Sequence, residues 1–204
     1  MPIRAVAFDI GGVLERVQPY EAFTKRWQRK LGLTEADLDA ALGPVYRTDV
    51  IGTGVLSEPE IRQAYTAALG LTSAQADEFM ADLWDWYCGE LDHEMTSYAR
   101  SLRPRYRTGV LSNSMHGARR VEEERFGFSE MFDVIVYSHE TGIVKPDPRA
   151  YLVLLAQLAV PPDQVIFIDD KQANVDAAGR LGMHGLLHTN TADSIAAIEA
   201  LLAP

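Results

Sequence analysis

Apolar residues in this chain are concentrated in five short runs without alternating polar residues. Such runs are typical of strands that are buried on both faces, as in a parallel sheet. The predicted strands are Ile3–Phe8, Thr108–Leu111, Val134–Tyr137, Val165–Ile168 and His184–Leu187. Helical patterns separate the last four strands, around Gly117–Phe126, Pro148–Ala159 and Ala173–Leu181. This alternation predicts an α/β fold with a doubly wound, parallel five-stranded sheet of the Rossmann type.

The alternation stops between the first two predicted strands, where residues from about Glu15 to Arg103 carry only helical patterns. Helix start and stop signals in this stretch are Thr34, Ser57, Gly32, Gly70 and Gly89. The simplest interpretation is a helical insertion in the first crossover that closes over the carboxyl edge of the sheet. We therefore predict a core domain formed by residues 1–14 and 93–204 and a cap domain formed by residues 15–92.

Length and composition are those of an ordinary globular enzyme, with 204 residues, of which 47% are hydrophobic and 24% charged. The net charge is −10 and no basic cluster stands out, so we expect no nucleic-acid partner. The single cysteine, Cys88, cannot form an internal disulfide, and no signal-peptide pattern or membrane-length apolar stretch is present. We therefore expect a cytoplasmic protein without a membrane partner, either a monomer or a homodimer.

Polar residues recur at the ends of the first four predicted strands. In chain order they are Asp9, Ser112-Asn113, Lys145 and Asp169-Asp170. Taken alone, Ser112-Asn113 is typical of a helix cap and Lys145 of a turn. The paired aspartates are harder to explain structurally, because adjacent carboxylates repel each other unless a divalent cation lies between them. Parallel strands share one carboxyl edge, where open α/β folds bind ligands, so the four marks together predict a catalytic site.

These residues, in this order, resemble the motifs of the haloacid dehalogenase superfamily, most of whose members are phosphatases. The matching segments are FDIGGVL, VLSNS, VKPDP and FIDDKQANVDAAGRLGM. The resemblance spans the predicted core from end to end, and the insertion looks like the family's small helical cap of the first type. The paired aspartate of the fourth motif is similar to that of one phosphatase subgroup. The resemblance implies a haloacid dehalogenase-like fold and a hydrolase that uses Mg²⁺ as its cofactor.

The resemblance also implies which residues bind the metal. Asp9 would be a ligand as well as the nucleophile that forms an aspartyl-phosphate, and the backbone carbonyl of Gly11 would be a second ligand. Asp170 would bind the metal from the fourth strand, with Asp169 bound directly or through water. Asn174 would orient the metal-side aspartate. Mg²⁺ accepts few carboxylates and keeps several waters, which agrees with this set.

The phosphoryl group would be bound by Ser112 and Lys145, with Asn113 assisting from the same loop as Ser112. Lys145 would also be a catalytic residue, because a carboxylate nucleophile approaches an anionic phosphoryl group only when positive charge cancels the repulsion. A compact ammonium and a hydroxyl suit the equatorial oxygens of a loose transition state. Attack by the carboxylate would divide the hydrolysis into two easier steps.

Gly11 stands where the family usually has a second aspartate, whose side chain donates a proton to the leaving group. Glycine keeps the carbonyl ligand and removes the acid–base group, a loss of about 10²–10⁴-fold. A phosphatase would then use a solvent proton, a group of the substrate or a substitute such as Glu15 or His116. Alternatively, it would act only on esters whose leaving group needs little help.

Two other functions remain open. A 2-haloacid dehalogenase would use the same nucleophile and lysine without a metal, and the paired aspartate is not expected there. A weakly active or non-catalytic protein that binds phosphometabolites would also tolerate Gly11. The aspartate pair favours the phosphatase.

The predicted partner is a small phosphorylated metabolite, such as a sugar phosphate, because a small cap fits short phosphomonoesters best. Some sugar-phosphate phosphatases of the family resemble this chain in having Asp-x-Gly in the first motif. The cap residues that are candidates to contact the substrate are Tyr20, Trp27, Tyr46 and Arg47.

Overall fold

The structure is a computed structural model that describes residues 2–203, except for the side chain of Thr48. Met1 and Pro204, the outer ends of the predicted core domain, lie outside the described residues. The strands are β1 (Ala5–Phe8), β2 (Glu15–Arg16), β3 (Glu90–Leu91), β4 (Arg107–Ser112), β5 (Val134–Tyr137), β6 (Val165–Asp169) and β7 (His184–Leu187). Five of them form one parallel sheet in the order β5-β4-β1-β6-β7. This confirms the predicted doubly wound sheet.

The helices before β4 are α1 (Tyr20–Leu31), α2 (Glu35–Leu42), α3 (Thr48–Ile51), α4 (Glu58–Leu69), α5 (Ser73–Cys88) and α6 (His93–Ser101). Those that follow are α7 (Ala118–Phe126), α8 (Phe128–Met131), α9 (Ser138–Thr141), α10 (Pro148–Leu158), α11 (Gln172–Arg180) and α12 (Thr191–Leu202), with a 3₁₀ turn at Pro162–Gln164. Within the described part of the chain, no helix has the length and apolar character of a membrane span.

The predicted helix signals in the insertion are confirmed. The Thr34 hydroxyl accepts the backbone N–H of Asp37 at 3.2 Å, and the Ser57 N–H donates to Glu60 Oε2 at 2.8 Å. These are the reciprocal bonds of capping boxes, which satisfy the free N–H groups of a first helical turn. Gly32, Gly70 and Gly89 follow α1, α4 and α5 with positive φ angles, as expected of glycines that end helices.

The strands β2 and β3 form a short antiparallel pair at the two ends of the segment that contains α1–α5. No pattern in the sequence predicts this pair. Gly89, which precedes β3, lies so close to β2 that a Cβ atom there would collide with the backbone carbonyl of Arg16. The division into a core domain and a cap domain stays a prediction, and this strand pair lies beside its proposed boundaries.

The two faces of the sheet belong to different hydrophobic clusters, because successive residues of a strand point to opposite faces. Val6 of β1 belongs to a cluster that extends into the insertion and includes Trp27. Ala7 belongs to a second cluster, which includes Leu154 of α10. The helices of the insertion therefore share a core with one face of the sheet.

Candidate active site

Three predicted site residues meet at the carboxyl edge of the sheet, because β1 lies between β4 and β6. Asp9 directly follows β1, Ser112 ends β4 and Asp169 ends β6. The backbone N–H of Asp9 donates to the carbonyl of Ile168 at 2.8 Å, so the hydrogen bonding between β1 and β6 extends to Asp9 itself. The sheet topology therefore brings together side chains that are about 60 to 160 residues apart in the sequence.

Lys145 joins two of the carboxylates in a buried chain of ion pairs. Its Nζ atom lies 2.7 Å from Asp9 Oδ1 and 2.7 Å from Asp169 Oδ2. Asp9, Lys145 and Asp169 are only 6%, 3% and 0% exposed. The pKa of Asp9 is raised to about 7, chiefly by burial, with Lys145 opposing the rise and nearby Asp169 adding to it. Buried charges are costly unless they are paired, and this arrangement pairs them.

Asp169 is bonded through both of its carboxylate oxygens. Besides the contact with Lys145, its Oδ1 atom accepts the side-chain amide of Asn174 at 2.8 Å and the backbone N–H of Lys171 at 2.9 Å. The Asn174 contact agrees with the role expected from the sequence. Asp169 is thereby fixed in place and in turn orients the ammonium of Lys145.

Asp170 completes a group of three carboxylates. Ligand oxygens of Asp9, Asp169 and Asp170 lie within 4.8 Å of one another, and Asp170 is exposed. Gly12 has a φ of +84°, and a Cβ there would lie 2.8 Å from Asp170 Oδ2. Glycine thus permits both this backbone conformation and the approach of the carboxylate. Three clustered carboxylates offer the oxygen donors that a hard divalent cation such as Mg²⁺ requires.

Asn113 lines the cavity described below, and its carboxamide bonds to the backbone of the loop that carries Lys145. Its Oδ1 atom accepts the backbone N–H of Lys145 at 2.7 Å, and its Nδ2 atom donates to the Lys145 carbonyl at 3.0 Å. The carboxamide therefore fixes the backbone of the Lys145 loop. Direct contact between Asn113 and a phosphoryl group stays a prediction.

A cavity of about 430 Å³ opens beside the carboxylates. Four of the residues predicted to bind the metal or the phosphoryl group line it: Gly11, Ser112, Asn113 and Asp170. Asp9, Lys145 and Asp169 are not among its lining residues and are buried next to it. Aromatic residues of the insertion form another wall, namely Tyr46, Trp86 and Tyr87.

The other cap candidates take structural positions. Tyr20 stacks on Tyr46 with ring centroids 5.7 Å apart, so it supports the aromatic wall from behind. Trp27 is buried in the insertion, where its Nε1 atom donates to Asp82 at 3.1 Å. Arg47 is exposed and pairs with Asp49 at 2.7 Å.

Two buried glutamates line the cavity, one that the sequence does not point to and one that it leaves undecided. Glu122 of α7 lines the cavity although its helix has the sequence ARRVEEERF, in which nothing marks one glutamate as buried. Glu15, one of the two suggested substitutes for the missing acid, also lines the cavity. The other, His116, is exposed, is absent from the cavity lining and contacts His139 in a tilted arrangement with centroids 5.6 Å apart.

A family model described as haloacid dehalogenase-like hydrolase matches residues 3–182. The chain therefore belongs to the haloacid dehalogenase-like hydrolases, as its motifs, its sheet order and the residues at its carboxyl edge indicate.

Two curated relatives differ in how much of their length this chain covers. D-ribitol-5-phosphate phosphatase from Bacteroides thetaiotaomicron is 28% identical over 203 residues, which cover 94% of each protein. Acyl-CoA dehydrogenase family member 10 from Mus musculus is 34% identical over 112 residues, but this chain spans only 10% of that protein.

Two solved structures have the same fold. A predicted HAD-like family hydrolase from Porphyromonas gingivalis has a TM-score of 0.77 and 30% identity, with all of both chains covered. A HAD family enzyme from Bacteroides thetaiotaomicron, in complex with magnesium and inorganic phosphate, has a TM-score of 0.76 and 19% identity. That match covers 91% of this chain and 93% of the other.

Proposed function

We propose that this hydrolase is a Mg²⁺-dependent phosphatase that acts on a small phosphomonoester through an aspartyl-phosphate on Asp9. The observation that carries the proposal is the buried ion-pair chain Asp9–Lys145–Asp169, with Asp170 beside it at the carboxyl edge of the sheet. This arrangement offers a nucleophile, a cation for the phosphoryl oxygens and a metal site within one cluster. A curated relative named D-ribitol-5-phosphate phosphatase supports a sugar or alditol phosphate as the substrate.

The residues that would hold the metal are Asp9, Asp170 and the carbonyl of Gly11, with Asp169 binding directly or through water. Three carboxylates with oxygens within 4.8 Å of one another repel each other, and a small divalent cation bound between them would cancel this repulsion. When bound, Mg²⁺ neutralises the negative charge of the phosphoryl group and of the approaching carboxylate. The complex of a HAD family enzyme of the same fold with magnesium and inorganic phosphate is consistent with this assignment.

Asp9 acts through the oxygen that its neighbours leave free. Its Oδ1 atom accepts the Ile10 N–H at 2.8 Å and contacts Lys145, whereas Oδ2 has no such bond to another described residue. Oδ2 attacks phosphorus, the bond from phosphorus to the ester oxygen breaks, and the departing alkoxide takes a proton. Water then attacks the aspartyl-phosphate at phosphorus, which releases inorganic phosphate and restores the carboxylate.

The remaining residues bind the phosphoryl group or orient the side chains that bind it. Lys145 and the hydroxyl of Ser112 hold the phosphoryl oxygens, and Asp169 keeps the ammonium of Lys145 aimed at the nucleophile. Asn113 holds the backbone of the Lys145 loop through its two hydrogen bonds. Since Gly11 has no acid group, the proton of the leaving group comes from solvent, from the substrate or from another side chain of the cavity.

The test is hydrolysis of p-nitrophenyl phosphate by the full chain, with Mg²⁺ and with EDTA. We expect phosphate release that disappears with EDTA and in the Asp9→Asn variant, because both the metal and the nucleophile are required. Asp163→Asn is the matched control, since Asp163 is exposed and precedes β6 at the opposite edge of the sheet. Metal-independent halide release from a 2-haloacid would overturn the proposal in favour of a dehalogenase. Inactivity in both assays would favour a binding protein.

A further inference from the structure

Two buried glutamates line the active-site cavity without an assigned role. Glu15 of β2 is 1% exposed and Glu122 of α7 is 0% exposed, and both line the cavity that contains Ser112 and Asp170. Tyr137 donates its hydroxyl to Oε2 of Glu122. Within the described residues, Oε1 of Glu15 and Oε1 of Glu122 are buried and have no hydrogen-bond partner. A buried oxygen without a partner is energetically costly, so both atoms are suited to a ligand that donates hydrogen bonds.

No ion pair among the described residues satisfies these carboxyls. The two arginines that influence them electrostatically are engaged elsewhere: Arg125 pairs with Asp85 at 2.7 Å and Arg119 with Glu140 at 2.5 Å. Burial raises the pKa of both glutamates, and the proximity of Glu122 raises that of Glu15 further. The pair therefore carries less negative charge than two surface glutamates would, which reduces its repulsion of an anionic substrate.

The position of the pair in the cavity identifies the part of the substrate that it would meet. Ser112 and Asp170 line the same cavity of about 430 Å³ and would face the phosphoryl group. The two glutamates and the aromatic wall of Tyr46, Trp86 and Tyr87 line the same cavity and would lie next to the alcohol part of the ester. Aromatic faces suit C–H groups and carboxyl oxygens suit hydroxyl groups, which is the pattern of a sugar or an alditol.

We propose that Glu15 and Glu122 hydrogen-bond hydroxyl groups of the leaving alcohol and make the enzyme selective for phosphomonoesters of polyhydroxylated alcohols. This inference rests on the proposed phosphatase function and names its substrate class. A site with buried hydrogen-bonding groups strongly rejects an analogue that lacks the hydroxyls, because binding of that analogue would leave the buried groups unpaired.

The test compares two esters of similar size whose alcohols differ in hydroxyl content: a five-carbon alditol phosphate and n-pentyl phosphate. For wild type we expect a higher kcat/KM with the alditol ester. We expect Glu122→Leu and Glu15→Leu each to lower kcat/KM for the alditol phosphate about 10- to 100-fold and to leave n-pentyl phosphate much less affected. The Gln variants should retain part of the selectivity, because a carboxamide still hydrogen-bonds hydroxyl groups.

A matched control is available in Gln164, whose Oε1 atom is the third buried side-chain oxygen without a partner among the described residues. It lies in the 3₁₀ turn before β6 and is not part of the cavity lining. Gln164→Leu should change neither ester's kcat/KM, and thermal unfolding confirms that each variant is folded.

Three results would overturn the inference while leaving the phosphatase assignment intact. The first is a wild-type enzyme that does not distinguish the two esters, and the second is an equal loss on both esters in the Leu variants. The third is a loss in the Gln variants as large as that in the Leu variants, and greater for poorer leaving groups, which would identify a proton donor instead. If wild type hydrolyses no phosphomonoester with Mg²⁺, the proposed function itself fails.

Discussion

At the scale of single residues, the two adjacent glycines of the first motif have different roles. Gly12 has a φ of +84° and no room for a Cβ beside Asp170, so the backbone itself requires glycine. Gly11 has neither constraint, because a Cβ there would meet only Val17 Cγ2 at an ordinary contact distance of 3.6 Å. The fold therefore does not require glycine at position 11, and its effect is on the chemistry of the site.

We predict that Gly11→Asp raises turnover of alkyl and alditol phosphates more than turnover of p-nitrophenyl phosphate. The new carboxyl would supply a proton that poor leaving groups need and p-nitrophenolate does not, with an effect of at most about 10²–10⁴-fold. Steady-state kinetics on both classes of ester would measure it. Gly12→Asp is the control and should lower both stability and activity. Equal gains of Gly11→Asp on both classes would mean that no proton donor is missing.

Asp170 gives a second prediction at this scale. Asp170→Ala should abolish Mg²⁺-dependent turnover, because it removes the carboxylate that follows β6 from the metal site, while its exposed position leaves folding unaffected. Titration of activity against Mg²⁺ concentration, with thermal unfolding in parallel, provides the measurement. Asp176→Ala removes an exposed aspartate of α11 as a comparison. Unchanged turnover in the Asp170 variant would refute the assignment of this residue.

Three site residues could be predicted from their positions at strand ends. Asp9, Ser112 and Asp169 follow or end short apolar runs, so the sheet topology alone brings them together. The role of Asn113 could not be predicted, because it depends on a contact with the backbone of a loop 32 residues away. Glu122 was missed for a related reason, since only the packing of α7 distinguishes it from its exposed neighbours.

At the scale of elements, Asp92 links three parts of the chain at the base of the insertion. Its carboxylate accepts the N–H of Met95 at 2.9 Å at the start of α6, Arg16 Nη2 of β2 at 2.8 Å and the hydroxyl of Thr191 of α12 at 2.7 Å. Burial opposes its charged form, but the bonds from Met95, Thr191 and Arg16 outweigh this effect and lower the pKa of Asp92.

We predict that Asp92→Ala lowers the free energy of unfolding by about 2 kcal/mol, because it removes a helix cap and leaves hydrogen-bond donors unpaired. A lowered pKa in the folded state stabilises the protein above the ordinary aspartate pKa, and this contribution is lost as the pH falls. The difference from wild type should therefore be constant above about pH 5 and shrink below about pH 4. Urea unfolding across this pH range measures it, and Asp92→Asn, which retains a capping oxygen, should cost less. A difference that grows in acid would contradict this account.

The same region shows why β2 and β3 could not be predicted from the sequence, whereas the strands of the main sheet could. The five strands of the main sheet have four to six residues each, and their apolar character was sufficient to locate them. The strands β2 and β3 have two residues each, which is too short for any periodicity. Their pairing depends on Gly89, which lets the two ends of a segment of more than 70 residues approach closely.

At the scale of the whole molecule, the fold places a charged site between two well-packed layers. One face of the sheet packs on α10 and the other shares its hydrophobic cluster with the insertion, so the carboxyl edge lies next to both. Asp9 and Lys145 are buried there, while Asp170 and the cavity remain open to a ligand. This geometry suits phosphoryl transfer, in which positioning and charge neutralisation provide most of the catalysis.

The central claim is that Asp9 carries the phosphoryl group during turnover, and chemical trapping tests it most directly. The enzyme is mixed with p-nitrophenyl phosphate and Mg²⁺, quenched in acid, reduced with borohydride and digested with trypsin. Reduction converts an aspartyl-phosphate to homoserine, and Asp9 is the only aspartate in the tryptic peptide 5–16. Because Gly11 removes the group that would activate water, we expect the intermediate to accumulate with this good leaving group.

We predict homoserine at position 9 in the complete reaction and its absence without substrate, with EDTA or in the Asp9→Asn variant. Active hydrolysis with Asp9 recovered unmodified, or with the label on another carboxylate, would contradict the account.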